Sequence, residues 1–153
     1  MNEYIHIFLI SMVPILELRA SIALGFAGDL PWYNVMAVSI IGNMVPVPFI
    51  LLFIRKILHS MKKVKFLQKP ASWIESKGEK NKEKIMKYAF FGLVLFVGIP
   101  LPGTGAWTGA LAAAMVDMRM KSALPAIFVG VLLSALIMTL ATYGFLGFLS
   151  FLV

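Results

Sequence analysis

The sequence predicts an all-α integral membrane protein, built as an inverted repeat in which a re-entrant, broken helical hairpin precedes one transmembrane helix. Apolar residues make up 60% of the 153 residues, whereas soluble domains contain about 45–50%. These residues form four long blocks, and two of the blocks are interrupted by charged residues, prolines or glycines. The length suits one membrane domain, residues 1–153, without a soluble module.

The four apolar blocks are Tyr4–Ala27, Trp32–Ile54, Tyr88–Val116 and Ala123–Val153. The second block is long enough as a helix to cross a hydrocarbon core of ~30 Å. Aromatic residues at its start and basic residues at its end suit the two membrane interfaces. Within the fourth block, Ala123–Phe148 is predicted to span in the same way.

The first and third blocks are predicted to be re-entrant hairpins rather than spanning helices. Pro14 and the pair Glu17 and Arg19 divide the first block, and the run Pro100–Gly105 divides the third. Each resulting arm has about a dozen residues, or about 18 Å of helix, which is too short to span a bilayer. Irregular backbone at membrane depth must then lie within protein or face a wet cavity.

Positive charge is concentrated between the two halves of the chain. Most of the 14 basic residues lie between Arg55 and Lys87, so the segment 55–87 is predicted to be cytoplasmic. Half 1 is then 1–56, the basic loop 57–87 and half 2 88–153, with both termini outside. Contact with the membrane surface explains this charge more simply than nucleic-acid binding, so no nucleic-acid partner is expected.

The two halves align with an offset of 88 residues. The shared order of hairpin and spanning helix is the stronger part of this alignment, and a repeat of this form is a known plan of transporters. One spanning helix in each half reverses the orientation of the second half. The identical residue pairs are Pro14 with Pro102, Asp29 with Asp117, and Gly42 with Gly130.

Glu17 and Arg19 are the first candidate site residues. A charge at mid-bilayer depth costs several kcal/mol unless it is paired or hydrated, which makes it a functional hypothesis. Arg19 would hold an anionic group, because its planar fork suits phosphate or carboxylate, and Glu17 would accept a proton. Since residues two apart on a helix do not face each other, the backbone must be irregular there or their partners must lie elsewhere. The alternative is a structural network that holds the hairpin tip.

The interrupted segment of the third block supplies further candidates. Prolines break helices and glycines allow tight turns. Thr104 is predicted to cap the second arm, leaving helix N-terminal amides free to face an anion. The alternative is a tight turn with small residues that let helices approach. The candidates from this segment are Pro102, Gly103, Thr104, Gly105 and Trp107.

Asn43, in the first spanning helix, is the last candidate, either reaching toward the hairpins or joining helices by packing. Pro46 is predicted to kink the same helix.

The chain has no cysteine, so it has no thiol or disulfide chemistry. No enzyme or nucleotide-binding motif occurs, and His6 and His59 lack a third ligand. We therefore expect no enzyme activity, no metal and no cofactor.

Three motifs carry a resemblance to a known family: Glu17–Ile22, Gly42–Pro48 and Pro100–Gly109. Together they resemble the prokaryotic putative small multidrug export protein family over nearly the whole chain. Ala23 departs from the proline common in that family. The family is similar to the DedA superfamily, whose paired re-entrant hairpins are associated with lipid carriers such as undecaprenyl phosphate and with protons. The resemblance implies a prokaryotic cytoplasmic (inner) membrane and a site formed by Glu17 and Arg19 opposite the second hairpin tip.

The leading functional hypothesis is a secondary transporter or lipid flippase that moves an anionic lipid carrier with proton coupling. A second hypothesis is proton-coupled export of small cationic or amphipathic compounds through Glu17. A third is a membrane scaffold or accessory subunit without transport. The expected partners are membrane lipids, the lipid carrier or small-molecule substrate, protons and a second copy of the chain, because two spans and two hairpins enclose little space.

Overall fold

The computed structural model describes residues 3–14, 16–61, 82–101 and 103–146, and its described residues form helices joined by turns, with no strand among them. Residues 62–81 of the basic loop, the candidate Pro102 and both termini lie outside these ranges. The helices are α1 Glu3–Met12, α2 Glu17–Ala27, α3 Trp32–Met44, α4 Pro46–Met61, α5 Lys82–Gly98, α6 Ala106–Met115 and α7 Met120–Thr139, followed by a π-helical turn at Leu140–Leu146.

The two interrupted blocks are broken where the sequence predicts. In the first, α1 and α2 have 10 and 11 residues and are separated by residues 13–16. In the second, α5 has 17 residues and α6 has 10, and the turn between them ends at Gly105. The first arm of the second hairpin is therefore longer than the predicted Tyr88–Ile99, because it begins at Lys82.

The first predicted span is interrupted near its middle. Helix α3 ends at Met44 and α4 begins at Pro46, because proline has no N–H to continue the helical hydrogen bonds but suits a first helical position. The kink expected at Pro46 is thus present, and the single helix expected over Trp32–Ile54 is divided at Val45. Among the described residues, two helical stretches are long and apolar enough to cross a bilayer, Trp32–Ile57 and Met120–Gly144.

Each half packs as a hairpin against its own long helix. Helices α1 and α2 contact α3, and α5 and α6 contact α7, while α4 against α6 and α3 against α7 join the halves. Two glycines permit each long helix to approach the first arm of its own hairpin closely. A Cβ at Gly42 would overlap Ser11 on α1, and one at Gly130 would overlap Val97 on α5. These glycines are equivalent at the offset of 88 residues.

The connection after each second arm has the same backbone structure. Asp29 and Asp117 have φ angles of 53° and 52°, the left-handed conformation that closes a helix C-terminus and that aspartate tolerates better than most residues. The residue after each aspartate then bonds back to the helix in the same register. These bonds are Leu30 N–H to Gly25 O (3.0 Å) and Met118 N–H to Ala113 O (2.9 Å).

Candidate binding site between the hairpin tips

The guanidinium of Arg19 crosses from the first hairpin to the turn of the second. Its Nη1 donates to the carbonyl of Leu101, and its Nη2 donates to the carbonyl and the hydroxyl of Thr104 at 2.5 and 2.8 Å. The partners therefore lie on another element, which is one of the two arrangements that the spacing of Glu17 and Arg19 left open. Arg19 holds main-chain carbonyls that the broken helix leaves without helical donors.

The hydroxyl of Thr104 organises this turn. It accepts hydrogen bonds from the Leu101 N–H at 3.1 Å and from Arg19, and its proton can go to the carbonyl of Ile99 at 2.7 Å or of Leu101 at 2.8 Å. The prediction that Thr104 caps α6 is wrong. Gly105 occupies the N-cap position and no side chain of the cap residue bonds to the helix, because the Thr104 hydroxyl is directed back into the turn.

Glu17 supplies the cap that Thr104 does not. Its Oε1 accepts a hydrogen bond from the main-chain N–H of Trp107, in the first turn of α6, at 3.2 Å. A carboxylate at a helix N-terminus is stabilised by the free amides and by the helix dipole. Glu17 itself has a φ of 47° and is only 4% exposed. The amide predicted to face a bound anion is therefore occupied by the protein's own carboxylate.

Gly105 makes this approach possible. A Cβ at this position would overlap the Glu17 carboxylate, and the φ of 150° is one that residues with side chains rarely adopt. Both the contact and the backbone conformation thus require glycine. The next residue, Ala106, is fully buried, so the first turn of α6 lies within the protein beneath the tips.

Trp107 adds a hydrogen bond from the second hairpin to the first. We call this set of contacts, made by Glu17, Arg19 and Trp107, the junction. Its indole Nε1–H donates to the main-chain carbonyl of Met12, the last residue of α1, at 3.0 Å. A carbonyl at a helix C-terminus has no partner within its own helix, so the indole satisfies an otherwise free acceptor. Each hairpin tip therefore holds the main chain of the other with its own side chains.

The charges at this junction balance. All the hydrogen bonds of Arg19 within the described residues go to uncharged oxygens, and its Nε is buried without a partner there. The Glu17 carboxylate is the nearby opposite charge. With Glu17 ionised, the pair carries no net charge, although the two groups bond to different parts of the second hairpin.

The remaining predicted site residues are placed differently. Asn43 is fully buried in α3, and neither atom of its amide has a hydrogen-bond partner in the described part of the chain. It therefore makes no hydrogen bond to the described part of either tip. Gly103 has a φ of 84° and open space around its Cβ direction. Pro102 lies outside the described residues.

Sequence reasoning missed the main-chain acceptors of the site. The carbonyls of Met12, Ile99 and Leu101 have no side-chain signal, and only the prolines near them indicate that helical donors are lost. It also missed the buried hydrogen bond of 2.7 Å from Ser21 on α2 to Ser39 on α3, which ties the arm carrying Arg19 to the first span. Among the described residues, no three His, Asp or Glu side chains converge as metal ligands.

A family model described as "putative small multi-drug export protein" matches residues 17–137, which is more than half of the chain. The chain belongs to this family. The matched range begins at Glu17, directly after the turn of the first hairpin, and it includes the turn of the second hairpin. The residues hydrogen-bonded between the two hairpins therefore all lie in it except Met12. No curated protein and no solved structure matches the chain.

Membership of the small multi-drug export family agrees with the two long apolar helices. The spans Trp32–Ile57 and Met120–Gly144 are linked to short arms. On one of these arms, α2, Glu17 is buried and Arg19 is hydrogen-bonded to the turn of the second hairpin. An ionisable residue inside a membrane segment almost always faces the bundle interior or a cavity. The protein is an integral membrane protein with a buried, charged junction between two hairpin tips.

Proposed function

We propose that this member of the small multi-drug export family is a secondary transporter that moves an anionic amphipath across the membrane, coupled to protons through Glu17. The observation that carries the proposal is a pair of hydrogen bonds between the hairpins. The side chains of Arg19 and Glu17 on the first hairpin each bond to the main chain of the second. A lipid-carrier phosphate is the cargo class that we propose, since a guanidinium binds phosphate through two parallel hydrogen bonds and the DedA superfamily, which this family resembles, is associated with such lipids.

The charges of Arg19 and Glu17 indicate that anion transport is coupled to protons. Arginine does not lose its proton in proteins, whereas a carboxylate can gain one. The empty site is neutral with Glu17 ionised, so a bound monoanion leaves it neutral only when Glu17 is protonated. An uncompensated charge is expensive at low dielectric. One proton should therefore enter with each single negative charge.

The same argument places cation export second. Arg19 keeps its charge, so a bound cation leaves the site positive even when Glu17 is ionised. A protonated Glu17 in the empty state would leave it positive too. Both states of a cation cycle at this junction then carry an unpaired charge, whereas both states of the anion cycle can be neutral. The scaffold hypothesis assigns the junction a purely structural role and predicts no flux.

Binding also has a defined competitor within the protein. Glu17 occupies the Trp107 N–H, and the carbonyls of Leu101 and Thr104 occupy Arg19. A phosphate would replace neutral carbonyls on Arg19 by charged oxygens, which form stronger hydrogen bonds. A protonated Glu17 would release the helix N-terminus, another favourable position for phosphate. Loading would thus separate the two tips.

The structural similarity of the two halves is consistent with a transporter that opens its site alternately to each side of the membrane. The hydrogen bonds that follow Asp29 and Asp117 repeat at an offset of 88 residues, which supports an inverted repeat of two re-entrant hairpins about a central site. In a prokaryotic inner membrane, the basic segment 55–87 would be cytoplasmic. We expect two copies to enclose the path of a lipid, so the protein extracted in native lipid should have the mass of a homodimer.

The experiment that tests this function measures flux of a labelled polyprenyl phosphate into vesicles that contain the purified protein. Arg19→Ala and Glu17→Gln should each abolish flux at unchanged membrane yield. The matched controls are Arg119→Ala and Asp29→Asn, which remove exposed charges away from the tips and should leave flux intact. Wild-type flux in both tip variants would contradict the proposal. Altered stability with no flux in any protein, the wild type included, would support the scaffold role.

A further inference from the structure

We propose that the open end of the first hairpin is a second binding site, which takes a small organic cation with an apolar body. A cavity of about 350 Å³ lies there, between α1 and α2 and away from the tips. Drug-sized ligands occupy cavities of roughly 300–1,000 Å³ with few polar groups in the lining. Its lining residues are Glu3, His6, Ile7, Ile10, Leu24, Ala27, Gly28 and Leu30.

The cavity is formed by one face of each arm. Glu3, His6, Ile7 and Ile10 follow the spacing of one helical face on α1. The face of α2 opposite them begins at Leu24 and ends in Ala27 and Gly28, whose small size leaves the volume open. The cavity is an open groove, because most of its lining residues are exposed and only Ile7 is buried. Its apolar lining comes from both arms, and the carboxylate and imidazole come from the first two turns of α1.

Charge favours a cation at this position. Arg19 is the one Lys or Arg in the stretch 3–54, and its guanidinium is bonded at the tips. Within the part of the chain that the structure describes, the cavity therefore has a carboxylate in its lining and no Lys or Arg side chain. An apolar cation is weakly hydrated, so it can bury its body against Ile7, Ile10 and Leu24 while its charge lies beside Glu3.

The rim of the cavity is held in place. Tyr143 donates its hydroxyl hydrogen to the carbonyl of Leu30 at 3.1 Å, and its ring meets Phe26 edge to face at 5.2 Å between centroids. Leu30 is also fixed by its hydrogen bond to Gly25. The last described segment of the chain thus fixes the rim, which favours a site formed before the ligand binds.

The second hairpin provides an internal comparison. A cavity of about 260 Å³ lies between α5 and α6 and shares the positions equivalent to Leu24, Gly28 and Leu30 at the offset of 88 residues. Its lining has no charged side chain. Hydrocarbon fits both cavities, but among the described residues only the lining of the first includes a carboxylate. Cation selectivity is therefore expected at the first cavity alone.

The test measures equilibrium binding of radiolabelled methyltriphenylphosphonium to the purified protein in phosphatidylcholine nanodiscs. Glu3→Gln should weaken binding by up to about fivefold, the upper end of the range for loss of one exposed charge interaction, and Glu3→Asp should restore most of it. Ala27→Phe should prevent binding by filling the cavity. The matched control is Ala112→Phe, which fills the second cavity and should leave the affinity unchanged.

Two further arms separate this site from the proposed function and from lipid. Arg19→Ala should lose polyprenyl phosphate flux and keep cation binding, so either proposal can fail alone. Replacement of half the phosphatidylcholine by phosphatidylethanolamine should leave the cation affinity unchanged. A marked loss would identify a lipid headgroup as the occupant and overturn the proposal. The proposal would also be overturned if the wild type did not bind the cation, or if Glu3→Gln and Ala27→Phe both bound it as tightly as the wild type.

Discussion

The carboxylate of Glu17 accepts a hydrogen bond from the main-chain N–H of Trp107, ninety positions further along the chain. This single contact caps α6 with an acid from the first half. It also excludes any other anion from that amide while Glu17 stays ionised and in place. The Glu17 carboxylate is therefore both the cap of α6 and the competitor of a bound anion. Its protonation state governs the stability of the junction and the access of an anion to the Trp107 amide.

Electroneutral transport is the first consequence. If one proton enters with each monoanion, no net charge crosses the membrane. An imposed membrane potential should therefore leave the initial rate of polyprenyl phosphate flux unchanged, whereas a pH gradient should alter it. The measurement uses vesicles at about pH 5, where a phosphate monoester is mainly a monoanion because its second pKa is about 6, with a potassium diffusion potential set by an ionophore. A rate that follows the potential would contradict the charge balance at Glu17 and Arg19.

Gly105→Ala should disrupt the junction. The added methyl group overlaps the Glu17 carboxylate and forces a φ of 150° on alanine, a strain of about 1–3 kcal/mol before the overlap is counted. We expect a lower thermal unfolding temperature in detergent and loss of flux. Gly92→Ala is the matched control, since its Cβ direction is open and it lies within α5, where alanine is favoured by ~1 kcal/mol. Equal effects of the two substitutions would refute the close approach at Gly105.

Thr104→Val should separate the role of the hydroxyl from that of side-chain shape. The hydroxyl joins Arg19, the Leu101 amide and a carbonyl of the turn, and leaving such groups unsatisfied costs about 1–3 kcal/mol. Unfolding should therefore occur at a lower temperature, and flux should fall. Thr104→Ser keeps the hydroxyl and should behave like the wild type in both assays. A stable, active Thr104→Val protein would show that the turn does not depend on this network.

Asp29→Val should destabilise the connection between the first hairpin and α3. A β-branched residue is strained at a φ of 53°, by roughly 1–2 kcal/mol relative to a residue that tolerates the left-handed region. Asp29→Gly should be neutral or stabilising at the same position, because glycine adopts this conformation freely. The measurement is thermal unfolding of both variants in the same detergent. If valine proves as stable as glycine, the backbone conformation at Asp29 is not as described.

Much of this architecture follows from the sequence. The breaks near Pro14 and Pro100 are visible as interrupted apolar blocks. The cost of isolated charges in lipid indicates that Glu17 and Arg19 need partners, either through irregular local backbone or on another element. The family match over residues 17–137 agrees with the three motifs. These predictions hold because length, polarity and proline each limit what a chain can do in a bilayer.

The atomic partners do not follow from the sequence in the same way. Arg19 bonds mainly to main-chain carbonyls, and every residue offers a carbonyl, so no side-chain pattern selects Leu101. Thr104 is chemically suited to cap a helix, yet the left-handed backbone at Gly103 directs its hydroxyl into the turn.

The long reach of the junction has a consequence for biosynthesis. Arg19 meets its acceptors 82 and 85 positions later, so the first hairpin leaves the ribosome well before the second exists. Its two ionised groups must wait in the insertion machinery or at the lipid headgroups until the later tip arrives. A nascent chain that ends before Pro100 should consequently be held at the interface and degraded, and the first hairpin would enter the bilayer only after the second tip has been made.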